Sequence, residues 1–126
     1  MGVCSVVPEA PPRERVLALV RAFREALLTH RDGARVYAGT HATGPNTLGL
    51  AGSLVGALRE AGFDAVAALE KALLLMHFTT GHVLEEQAAT GGEAYSHLSE
   101  VGEHFTTMNY ADLFERGIRL MTTDLR

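Results

Sequence analysis

One stretch constrains this chain more than any other: residues 64–89 read as a single long helix with no polar face at its centre. Asp64 stands where an N-cap belongs, and the run is unbroken until Thr90-Gly91-Gly92. Between Ala72 and Phe78, apolar side chains point nearly all round. Such a helix is expected to be buried on every side. A chain of 126 residues makes one small domain, whose single core covers only part of that surface. The remainder is expected to meet a ligand cavity or a second subunit. A membrane is not expected, because the uncharged apolar run is far shorter than the roughly 20 residues a crossing helix needs.

The other segments share the helical period. From Arg13 to His30, apolar residues fall at Val16, Leu17, Val20, Phe23, Leu27 and Leu28, with Arg and Glu on the opposite side. Asp32-Gly33 ends that helix, and a short one over residues 34–38 closes at Gly39-Thr40. Gly44-Pro45-Asn46 marks a loop, after which Thr47 is expected to cap a helix reaching Ala61. Gly49, Gly52 and Gly56 recur on one side of it, which predicts either close backbone approach or a weak helix. Gly62 fits the residue after its C-terminus. A polar helix over residues 93–105 follows, and a last one over residues 110–125 carries Leu113, Phe114, Ile118, Leu120, Met121 and Leu125. Residues 1–12, with prolines at 8, 11 and 12, read as an extended lead-in to one domain over residues 13–126. No strand-like alternation and no internal repeat is visible. The expected architecture is all-α, a helical bundle of about six helices. Helices 64–89 and 110–125 are expected to pair with the same helices of a second copy in a two-fold, four-helix interface.

Charge argues against nucleic acid as a direct partner. Net charge is -4 and unevenly placed: residues 1–63 hold seven Arg against five acids, residues 64–126 four bases against ten acids. Phosphate binding needs a basic face, and the second half would repel it. Cys4 is the single cysteine, so no internal disulfide forms and a cytoplasmic setting fits. Cys4 lies in the lead-in with no local base beside it, so it is not read as a nucleophile. No secretory leader pattern opens the sequence.

Two blocks carry a resemblance. The first is Phe23-Arg24-Glu25-Ala26-Leu27-Leu28-Thr29-His30-Arg31-Asp32-Gly33-Ala34-Arg35-Val36, followed by Gly39-Thr40. The second is His77-Phe78-Thr79, Gly81, Val83-Leu84-Glu85 and Gln87, with Ala61-Gly62-Phe63 between the blocks. Together they resemble the C-terminal ligand-binding and dimerisation domain of the tetracycline-repressor family, over about residues 15–125. The resemblance implies a homodimer in which each subunit holds an elongated pocket. In the family the ligand is a drug–magnesium chelate, and its binding shifts DNA-binding heads. The family's helix-turn-helix has no counterpart in residues 1–12, so operator binding by this chain alone is not expected.

The implied pocket residues each have a plainer reading. Phe23 matches an aromatic pocket position, and ordinary core packing explains it as well. Tyr37 stands where the family has a magnesium-ligating histidine. A tyrosine hydroxyl is protonated near neutral pH and is a poor Mg²⁺ ligand. No cofactor is therefore expected, and a magnesium-dependent drug is not the expected ligand. Thr40 matches a pocket position or caps a helix end; His41 follows where the family often has Arg, and a solvated loop role competes. Leu54 replaces the family's pocket glutamine. Leu54, Leu69 and Leu73 would make the cavity greasier, and plain core packing is the alternative for each. His77, on the apolar centre of its helix, is read as structural. His77, Gly81 and Glu85 share a face, and Glu85 matches the family acid that reaches the partner's metal site through water.

Metal constellations are weak. His77 and Glu85 are about 12 Å apart at 1.5 Å per residue, too far to share an ion. His82 and Glu86 are at i, i+4, and an exposed contact is the simpler reading. His97, Glu100 and His104 share a face that reads as a solvated acidic surface.

The first functional reading is a small-molecule-binding, dimerising regulator domain whose ligand is hydrophobic. The second is a stand-alone protein that sequesters or cyclises a polyketide-like molecule in the same pocket. Tyr37, His41, His77 and Glu85 would then be its acid–base or hydrogen-bonding candidates. A third is a heterodimerisation partner that inhibits a full-length regulator.

Overall fold

Proline decides where two of the helices begin. It has no N–H to leave unpaired in a first turn, and its fixed φ suits the helix. The computed structural model describes residues 10–30, 33, 45–88 and 109–125. These form four helices and no strand: α1 (Pro12–Leu28), α2 (Pro45–Glu60), α3 (Ala65–Ala88) and α4 (Tyr110–Met121). Pro12 opens α1, inside the expected lead-in, and Arg15 N donates to Pro11 O at 3.1 Å. Pro45 opens α2 two residues before Thr47, the expected cap. The expected helices over residues 34–38 and 93–105 lie outside the described residues, so six helices are not counted here.

The turn between α2 and α3 is built by two residues. Gly62 takes φ 111°, a left-handed conformation that costs glycine least. Phe63 N then reaches Leu58 O at 3.2 Å and Gly62 N reaches Arg59 O at 3.0 Å, which satisfies the last carbonyls of α2. Asp64 accepts from Ala67 N at 2.8 Å and so caps α3, as its position predicts.

α1, α2 and α3 pack against one another, and α4 lies along α3 and α1. Their shared core takes Val16, Leu17, Val20 and Leu27 from α1, and Leu50, Leu54 and Leu58 from α2. α3 contributes Ala68, Ala72, Leu75 and Val83, and α4 contributes Phe114 and Ile118. Each fully buried Leu or Val contributes roughly 1.5–3 kcal/mol by leaving water. The close approach occurs between α3 and α4, where a methyl on Gly117 would overlap the Phe78 ring. At Gly49, Gly52 and Gly56 of α2, by contrast, an added methyl would meet no atom within 4 Å, so the expected backbone approach there is not seen among the described residues.

The foot of α4 is tied by Lys71, whose ammonium donates to Met121 O at 2.8 Å and pairs with Asp124 at 2.9 Å. The helix ends at Met121, before Leu125, where Thr122 leaves helical backbone at φ -117° and its N–H reaches Arg119 O at 3.3 Å. Leu125 is nevertheless buried in the core.

One expectation needs correction. The centre of α3 is not buried on every side: Leu73 is 40% and Leu74 57% exposed. Three neighbouring helices cover the side bearing Ala72, Leu75 and Met76 and leave the far side open.

Candidate ligand-binding and dimerisation site

The candidate pocket residues fall into two groups. Phe23 and Leu54 belong to the core, Leu54 with no exposed surface at all. Leu69, Leu73, His77 and Glu85 are exposed on α3. Tyr37, Thr40 and His41 lie outside the described residues, as do His97, Glu100 and His104. Within one chain the described candidates therefore do not converge on a point. His77 in particular sits on the open side of α3 and not in an apolar interior, because the helical turn that carries it points away from α1 and α2.

The open side of α3 is itself organised. Val66, Leu73, His77 and Leu84 recur at +7, +4 and +7, which places them on one line. All seven large apolar residues exposed among the described residues lie on α3 and α4: Val66, Leu69, Leu73, Leu74 and Leu84, then Leu113 and Leu120. The exposed charges of α3 are acidic and those of α4 mostly basic. Glu70 and Glu85 are exposed on α3, and Arg116 and Arg119 on α4, with Asp112 in its first turn.

Polar contacts position α4 and hence this surface. Arg21 grips Glu115 with Nε at 2.9 Å and Nη2 at 2.8 Å. That hydrogen bond holds the Glu115 carboxyl below the usual carboxylate range and raises Arg21. Three residues on, Arg24 is buried, with Nη2 at 2.9 Å from both oxygens of Glu86 and its guanidinium 5.3 Å from the Phe114 ring centre. The Nε of Arg24 has no hydrogen-bond partner. His82 is part of the same junction. Its Nε2 donates to the Tyr110 carbonyl at 2.9 Å, since a carbonyl only accepts. Its ring lies 5.4–5.8 Å from those of Phe114, Phe78 and Tyr110. His82 and Glu86, paired in the sequence reading as one exposed contact, are thus engaged separately, with α4 and α1.

Sequence reasoning missed this junction. Arg21 and Arg24 were placed on the solvated side of α1, yet both face partners on later helices. An i, i+3 arginine pair beside Phe23 was the available signal. Gln87 was also missed as a cap: its amide donates to His30 O at 2.9 Å at the end of α1.

No group of three or more His, Cys, Asp or Glu lies close enough to hold an ion among the described residues, and Glu85 is exposed. Nor does any described helix have the length and apolarity to cross a membrane.

A core on one side of α3, an open apolar surface on the other and no strand among the described residues define the class: an all-α helical domain. Comparison makes this specific. The family described as "Tetracyclin repressor-like, C-terminal domain" matches residues 7–95, and the chain belongs to that family. It is similar to the tetracycline repressor protein class A from transposon 1721 of Escherichia coli, with 39% identity over 101 residues, 80% of this chain and 43% of that protein. The class E protein of Escherichia coli is 48% identical over 67 residues, 53% of this chain and 31% of its own length. The chain thus spans less than half the length of these curated relatives. Among solved structures, a possible TetR family transcriptional regulator from Streptomyces coelicolor A3(2) superposes with a TM-score of 0.82 at 41% identity, over 98% of this chain and 70% of that one.

Proposed function

We propose that this chain is the effector-sensing and dimerising part of a tetracycline-repressor-type regulator, acting on a hydrophobic small molecule. The observation that carries the reading is the division of α3. Its inner side belongs to a core that includes Phe23 and Leu54, and its outer side carries unsatisfied apolar surface. A second copy of the chain suits that surface. A two-fold sets α3 of one copy beside α4 of the other and makes each contact twice. The acidic border of α3 then faces the basic border of α4. Ligand contact falls to Phe23, Leu54, Tyr37, Thr40 and His41. Leu69, Leu73, His77 and Glu85 join them only where the dimer brings the open side of α3 to a pocket.

The side chains available favour a ligand held by apolar contact, with Tyr37 offering a hydrogen bond in place of a metal ligand. The acidic balance of residues 64–126, four bases against ten acids, leaves direct nucleic-acid binding outside the proposed role. The test has two measurements. Native mass spectrometry of protein purified from its own host is expected to show a retained apolar molecule, lost in Phe23→Ala. Added tetracycline should bind no better with magnesium than without it. A magnesium-dependent gain in tetracycline affinity of about tenfold or more, a difference of 1.4 kcal/mol, would overturn the ligand assignment.

A further inference from the structure

His77 occupies the middle of the open face. Leu73 precedes it by one turn, Leu84 follows by two, and Val66 lies three turns back on the same line. Glu70 stands on the same line, two turns before His77, and is the one other titratable residue there. Glu85 borders it on α3, and Arg116, Arg119 and Asp112 are the exposed charges of α4. Lys71, His82 and Glu86 point to other elements and are engaged there, with Met121 and Asp124, with Tyr110 and with Arg24. α1 and α2 meet α3 on its opposite side, through Ala68, Ala72, Leu75 and Val83.

We infer that His77 makes self-association of this chain pH-dependent, with the dimer favoured when the imidazole is neutral and opened when it is charged. The inference rests on the dimer reading above, since a second copy is what covers the face. Imidazole is the side chain whose charge ordinarily changes between about pH 8 and pH 5. In the free protomer the His77 ring is exposed to water. Once a second copy covers Leu73, Leu74 and Leu84, the ring loses that water and a cation among leucines is disfavoured. Two-fold symmetry puts two such rings in each interface. The sign follows directly. Where both states are neutral the interface is at full strength. As pH falls, the free protomer takes up protons that the dimer excludes, and dissociation gains.

The experiment is sedimentation equilibrium of the whole chain at pH 8 and pH 5.5, with circular dichroism at both to confirm that the helices persist. The dimer dissociation constant is expected to rise by about tenfold or more on acidification, the scale set by two excluded protons. His77→Leu should keep the dimer at pH 5.5 and flatten the profile to less than about threefold, and His77→Gln should flatten it without the added apolar surface. A wild-type dimer whose dissociation constant does not move with pH overturns the inference and leaves the dimer standing. So does a His77→Leu protein that keeps the full pH dependence. A chain that stays monomeric at both pH values, at tens of micromolar, overturns the dimer reading and the inference together.

Discussion

The two sides of α3 are both rich in aliphatic residues and have opposite fates. The inner side, Ala68, Ala72, Leu75, Thr79 and Val83, has no exposed surface. The outer side, Val66, Leu73, Leu74 and Leu84, is between 36% and 68% exposed. Hydrophobicity alone does not distinguish them; the packing of α1, α2 and α4 against one side does. The inner side mixes two alanines with larger residues, so that α1 and α2 approach closely. The outer side presents larger side chains that no part of the described fold receives. A helix so divided supplies one face to its own fold and leaves the other for the second copy proposed above.

The largest effect that tests this comparison is a pair of matched truncations. Leu75→Ala removes a residue with no exposed surface and leaves a cavity between three helices, at a cost of about 2–5 kcal/mol in urea unfolding. Leu73→Ala, two residues earlier and 40% exposed, is expected to cost the isolated protomer no more than about 0.5 kcal/mol. Its effect should appear in the dimer dissociation constant. Equal losses of unfolding stability under conditions where the chain is monomeric would show that the outer side is part of the fold.

A smaller effect is expected at the seam between the faces. Gly117 lets α4 come within contact of Phe78, whose ring also stacks on Phe114 at 5.7 Å. Gly117→Ala places a methyl on the ring, and either Phe78 rotates or α4 lifts. Overpacking of this kind costs about 1–3 kcal/mol, partly offset by the better helix propensity of alanine. Thermal unfolding reads the loss. A neutral or stabilising result would mean that Phe78 moves aside freely and that the α3–α4 spacing is set elsewhere.

The inner face was legible in the sequence and the outer one only half so. Helical periodicity locates α1, α2, α3 and α4 to within a few residues, because their apolar positions recur at 3.6 and their ends carry Pro, Asp64 and Gly62. The same periodicity led to burial all round for Ala72–Phe78. A pattern of apolar residues reports that a surface avoids water, not whether its own chain or another covers it. His77 was misplaced for that reason. Arg24 was misplaced for the converse one, since its long stem lets a charge stand over Phe114 and reach Glu86 from a position that reads as solvated. Tyr37, Thr40 and His41, which hold much of the ligand argument, lie outside the described residues and rest on the sequence alone.

The smallest predicted effect concerns what holds the outer face flat. Arg21 ties α1 to α4 through Glu115, and the exposed strip Leu113 and Leu120 keeps its place beside α3 only while α4 stays docked. The Glu115 carboxyl is held below its ordinary value of 4.5, chiefly by the Arg21 hydrogen bond, while burial pushes the other way. A carboxylate depressed in the folded state adds stability above the unfolded value, and that stability is lost as pH falls through the lower, folded one. The pair is more than a third exposed at Arg21, so solvent screening limits its worth to about 0.5–1 kcal/mol. Glu115→Gln should therefore be less stable than the native chain near pH 7, and the difference should close as both are titrated toward pH 3. Urea midpoints at the two pH values measure it. A gap that stays constant with pH would assign the effect of Glu115 to packing against α1 and not to its charge. The Arg15–Glu60 pair, at 2.6 Å, provides the contrast: Arg15 also lowers the Glu60 carboxyl, but Glu60 is exposed at the end of α2, away from the α3–α4 seam. Glu60→Gln is expected to leave the dimer dissociation constant unchanged, while Glu115→Gln loosens α4 and raises it.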